Sequence, residues 1–175
     1  MLRKEDGFTL IELIIVVAII AILGAVVTPN ILKAIESSRV VAVVADSKSI
    51  QSAALAYHAD TGAWPESTAS SESGESGETG GKDPGLAEKP SEGSDLEGWN
   101  GPYLDRWPEK NPWGGTYTLT KNVEGEEGGG NGDKLYLKLS KVPESAVDKL
   151  EDKLGKDVTK ATGDDHNNIY IYLAE

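Results

Sequence analysis

The apolar run from Leu10 to Val27 constrains this chain more than any other feature, and a single charged side chain, Glu12, interrupts it. About 18 or more such residues can cross a bilayer as a helix, and a run this unbroken does not suit the core helix of a small globular domain. A carboxylate near one end of that helix costs on the order of 2.5 kcal/mol in hydrocarbon, so it needs a reason to be there.

An ordinary secretory signal has an apolar core of about 7 to 15 residues followed by a small-residue cleavage site. Here Val26-Val27 leads instead into Thr28-Pro29-Asn30, and the helical pattern continues. The small residue that stands out, Gly7, comes before the run, behind a leader that carries Arg3 and Lys4. Two basic residues at that end place it in the cytoplasm and the carboxy-terminal bulk outside. Glu5 and Asp6 count for little in that tendency.

Gly7-Phe8-Thr9-Leu10-Ile11-Glu12 before an apolar helix resembles the class III signal of type IV pilins and of the pseudopilins of type II secretion. The resemblance implies cleavage between Gly7 and Phe8 by a prepilin peptidase, which also methylates the new amino terminus of Phe8. It implies that Glu12 pairs with the terminal ammonium of a neighbouring subunit during assembly, so that Phe8 and Glu12 together guide polymerisation. It further implies an inner-membrane assembly platform, a single-pass location in the cytoplasmic membrane before assembly and a surface filament afterwards. A plain membrane anchor with a stray glutamate is the blander reading.

Composition limits the rest. With 17 Lys plus Arg against 29 Asp plus Glu, the formal charge is -12, which argues against nucleic acid as a dedicated partner. There is no cysteine, so neither disulfides nor a thiolate site are available. Beyond the anchor remain roughly 115 to 140 residues, enough for one small domain. The expected segments are a leader over 1–7, a membrane or filament-core helix over 8–29, the amphipathic half of the same helix over 30–62, a loop region over 63–115 and a sheet region over 116–175.

The helical pattern runs past Pro29 to about Asp60, roughly 80 Å at 1.5 Å per residue, with Thr61-Gly62 as its stop. Its later half has two apolar rows, which points to a second packing partner besides the domain's own core. Gly24 and Pro29 are weak points, since proline removes a helical hydrogen bond and crowds the preceding turn. Two outcomes stay open there: a kink that remains helical, or local unwinding in a filament as the family resemblance suggests.

An insertion over 66–98 interrupts the loop region, and Ser67 to Gly81 holds only Ser, Gly, Glu, Thr and one Ala. Such a segment has nothing to bury and is expected to be an exposed loop, either O-glycosylated or simply hydrated. Trp99, Trp107 and Trp113 follow among Pro, Gly and Asn, in a block that resembles the loop tying helix to sheet in major pseudopilins and Gram-positive type IV pilins. Packing outweighs sugar stacking as their role.

Alternation predicts strands over 116–120, 135–140 and 168–173, and a one-sided apolar pattern predicts a short helix over 144–154. Asp164, Asp165 and Asn167 offer oxygens of the kind calcium accepts, yet Asx turn chemistry explains them without an ion, and no cofactor is expected. No catalytic constellation appears; His58 and His166 read as surface residues. The expected fold class is α+β, one long amino-terminal helix on a small antiparallel sheet of about three strands. The expected function is a non-enzymatic major subunit that self-assembles into a type IV pilus for adhesion, motility or attachment. A major pseudopilin of type II secretion is the alternative, and a membrane-anchored module binding sugars or surfaces a third.

Overall fold

A computed structural model describes residues 7–66, 83–90, 98–121, 134–155 and 168–174, with the backbone alone for 158–160. Helix α1 spans Leu10–Thr61 and runs through Pro29 without interruption. The chain divides into two units, Met1–Ser38 and Arg39–Glu175.

In the first unit the helix is apolar all round from Leu13 to Val27. Its most hydrophobic stretch, with a mean hydropathy of 3.2, has no residue buried within the chain. Leu10, Ile14, Ile19 and Leu23 are each more than half exposed. A helix of this kind has no sidedness for a single core to use, which suits lipid or a ring of neighbours.

In the second unit the pattern becomes one-sided. Val40, Val43, Ser47, Ile50, Ala53, Ala54 and Tyr57 are buried, at the three- and four-residue spacing that lines one helical face. That face packs on a sheet built from β1 (Tyr117–Thr120), β2 (Leu135–Leu139), β3 (Val158–Lys160) and β4 (Ile169–Ala174). The order is β1-β2-β4-β3 and every pairing is antiparallel. Leu119, Leu137, Leu139, Ile169 and Ile171 project from it into the shared core, as the period-two alternation requires. Between β2 and β3, α2 (Glu144–Leu154) adds Ala146, Val147 and Leu150 to the same core.

Two polar ties set helix against sheet. The Gln51 side-chain amide donates to the Leu173 carbonyl at 2.6 Å, and the Tyr117 hydroxyl donates to the Asp46 carboxylate at 2.8 Å. Burial, then the bond to Asp46, pushes the Tyr117 phenol well above its ordinary range. Gly62, at φ +72°, donates to the His58 carbonyl and stops α1 in the left-handed conformation that glycine tolerates.

The sheet has one strand more than alternation predicts. Val158–Lys160 is only three residues long, too short to show a period, and pairing with β4 is what makes it a strand. The helix begins two residues later than expected because Thr9 is spent as its cap. Ser67 to Gly81, the turn at 124–133 and the loop at 163–167 lie outside the described residues.

Candidate assembly site at the head of the helix

At the amino-terminal end of α1, Thr9 and Glu12 form a closed pair. The Thr9 backbone N–H donates to Glu12 Oε2 at 2.9 Å and the Thr9 hydroxyl donates to the same oxygen at 2.6 Å. In return the Glu12 N–H donates to Thr9 Oγ1 at 3.3 Å. This is a capping box, in which the residue before the helix and the third helical residue satisfy each other's orphan groups. A carboxylate at a helix amino terminus also meets the positive end of the helix dipole. Glu12 therefore has an intrachain partner before any neighbour arrives. The threonine-x-x-glutamate spacing at 9–12 was the signal for it, obscured by the apolar run that follows.

Phe8 is 82% exposed, and Gly7 has open space around it. The scissile bond of the expected cleavage, the new amino terminus and Glu12 thus lie within one short accessible stretch. Around the helical weak point, the Thr28 hydroxyl donates to the Gly24 carbonyl at 2.7 Å, and Gly24 likewise has open space around it. The Asp164, Asp165 and Asn167 oxygens fall outside the described residues, and among the described residues no cluster of His, Cys, Asp and Glu could hold a metal ion.

The tryptophans fill structural positions. Trp107 is 7% exposed and belongs to the core, while Trp64, Trp99 and Trp113 are half-buried against it. The Trp99 indole donates to the Gly85 carbonyl, and its ring meets Tyr103 edge-on. His58 is half-buried and stacks on Trp64 at 4.2 Å between centroids, so it is less exposed than a free surface residue. Asn111 ties the loop to the end of β2 by donating to the Ser140 carbonyl and accepting from the Trp113 and Gly115 N–H groups. A Cβ on Gly115 would sit on the Ser140 carbonyl, so the close approach needs glycine.

Comparison with known proteins agrees with this arrangement. A family described as "Prokaryotic N-terminal methylation motif" matches residues 2–28, and one described as "PilW, C-terminal" matches residues 34–131. The chain is 31% identical over 144 residues to type II secretion system core protein G of Pseudomonas aeruginosa, covering 75% of this chain and 92% of that one. The chain belongs to the type IV pilin and pseudopilin family. Within that family it is also 67% identical over 33 residues to the type IV wide pilus major component PilA4 of Thermus thermophilus, covering 19% of this chain and 25% of that one. Among solved structures it resembles the major type IV pilin PilA1 from Clostridium difficile, with a TM-score of 0.51, 24% identity, and coverage of 81% of this chain and 98% of that one. That likeness concerns the fold, which is the α+β pilin fold.

Proposed function

We propose that this pilin-family chain is the major structural subunit of a type IV pilus, polymerising through α1 into a surface filament for adhesion, motility or attachment. The observation that carries the proposal is the contrast within α1: an apolar half with nothing of its own to pack against, joined to a half that carries a complete small domain. The first waits in the cytoplasmic membrane and becomes the filament core; the second faces outward. A prepilin peptidase cuts between Gly7 and Phe8 and methylates Phe8, and an inner-membrane platform lifts the mature subunit into the growing end. Glu12 then exchanges its bond to Thr9 for the terminal ammonium of the next subunit, so that two charges neutralise each other in an apolar surrounding. The Gly24 to Pro29 stretch unwinds where packing demands it. The role needs no catalytic group and no cofactor.

A second reading keeps the fold and the assembly and changes the machine to type II secretion. The match to core protein G along most of that protein's length favours it. Deleting the chain's gene and imaging cells by electron microscopy separates the two. Loss of long surface fibres with protein export intact supports the pilus; loss of export with no change in surface fibres supports the secretion machine. No effect on either contradicts both.

A further inference from the structure

The second half of α1 and a strap formed by Leu104 to Lys110 enclose a groove of about 630 Å³. That volume lies in the range of small-ligand sites, which combine an apolar lining with a few polar groups. Here Ile50, Leu104 and Pro108 supply the apolar part, and Asp46 and Ser49 bring polar groups from α1.

Trp107 lines the same groove, is 7% exposed, and its indole Nε1 is enclosed without a hydrogen-bond partner among the described residues. Enclosing a donor without an acceptor is costly, so an orphan of this kind asks for a partner. The ring itself is spent in the core, so it offers an incoming molecule its N–H and not a stacking face. The strap around it can give way. Leu104 is pinned by its N–H to the Leu86 carbonyl, but Asp105 to Lys110 make no hydrogen bond or ion pair among the described residues.

The helix wall holds acceptors. Asp46 gives Oδ2 to the Tyr117 hydroxyl, and its Oδ1 has no hydrogen-bond partner among the described residues. Ser49 is exposed, and its hydroxyl is equally unspent among them. An occupant that satisfies the groove therefore accepts from Trp107, donates to Asp46 and Ser49, and offers apolar surface to Ile50 and its neighbours. A saccharide meets all three demands, because each hydroxyl both donates and accepts through one oxygen while the ring C–H groups form an apolar face. Charge decides which kind of saccharide. Asp46, Asp105 and Glu109 outnumber Arg106 and Lys110, on a chain of formal charge -12, so an acidic sugar is repelled. An extended peptide is fixed by a ladder of backbone groups, which this groove lacks: α1 spends its own within the helix, and Pro108 has no N–H.

We propose that the groove binds a neutral saccharide. One of its hydroxyl oxygens accepts from Trp107 Nε1, and neighbouring hydroxyls donate to Asp46 Oδ1 and Ser49 Oγ. The strap moves aside as the sugar enters. The attachment role above thereby gains a ligand class, while the site itself belongs to the single subunit whether or not it polymerises.

NMR of the full-length chain, in an amine-oxide detergent that carries no sugar, follows the indole N–H groups of its four tryptophans. Trp107→Phe identifies the Trp107 signal by its loss. Maltose, cellobiose, lactose and diacetylchitobiose are each titrated to about 50 mM, above the millimolar affinity that a few hydrogen bonds give. Digalacturonate and trialanine serve as acidic and peptide controls. At least one neutral disaccharide is expected to move the Trp107 signal, and the two controls to leave it in place. Ser49→Phe, at an exposed position, fills the groove and is expected to abolish the movement with the thermal transition unchanged. Asp46→Asn is expected to weaken the apparent affinity about tenfold. A Trp107 signal that no disaccharide moves overturns the saccharide site, as does equal movement by digalacturonate or movement by trialanine alone. Binding that survives Ser49→Phe overturns it as well. Filaments are scored separately by electron microscopy: a chain that binds sugar and forms none keeps the site and loses the filament reading, and the reverse result does the opposite.

Discussion

Residues 10–38 and residues 39–61 share one helix, and both are rich in Val, Ile and Ala, yet they meet opposite demands. In the first stretch apolar side chains point in every direction and remain exposed; in the second they gather on one face beneath the sheet. Hydrophobicity alone therefore does not say what a helix packs against. The angular spread of its apolar residues does, because a one-sided stripe fits one core and an all-round surface fits only lipid or several neighbours.

The comparison is broken most sharply by truncating one side chain from each region. Leu137→Ala opens a cavity in the core and is expected to cost about 2 to 5 kcal/mol in the thermal unfolding of the domain. Ile19→Ala removes a side chain that is 53% exposed within the chain and is expected to leave that transition where it was. A matching loss from Ile19→Ala shows that the two stretches share a core after all.

A smaller effect sharpens the account of how the second stretch is held. Tyr117→Phe removes the hydroxyl bonded to Asp46 and is expected to cost about 1 to 2 kcal/mol at neutral pH. The folded phenol holds its proton more tightly than the unfolded one, whose ordinary value is about 10. Its contribution is thus fully present below about pH 10 and is lost as pH rises beyond that. Denaturant titrations of both proteins between pH 8 and 11 are expected to show the wild type losing stability more steeply at the alkaline end. Parallel curves contradict the assignment.

The smallest effect lies at the head of the helix. Thr9→Val breaks the capping box and is expected to speed amide hydrogen exchange over residues 10–13 about fivefold, with the domain's own transition unchanged. Equal exchange rates mean that Glu12 is held by something else.

Much of this was legible in the chain itself. The helix stop at Thr61-Gly62 and the bounds of α2 at Glu144–Leu154 follow from a glycine in the left-handed region and a clean one-sided stripe. Short strands with apolar-polar alternation were equally plain at Tyr117–Thr120 and Leu135–Leu139. Val158–Lys160 was not, because a three-residue strand takes its identity from a partner distant in sequence. At the site, Glu12 announced itself through the cost of a carboxylate in an apolar run, while its partner Thr9 was hidden in plain motif spacing. The groove beside Trp107 had no signature in the chain, since it joins residues 46–50 to residues 104–110.

The central claim, that an anchor with one carboxylate becomes a polymer core, is tested most directly by Glu12→Ala in the full-length chain. Processing after Gly7 and filament formation are followed together, by amino-terminal sequencing of the membrane-bound subunit and electron microscopy of the cell surface. The account predicts a normally processed subunit that accumulates in the membrane and forms no filaments. Normal filaments from that variant would contradict it.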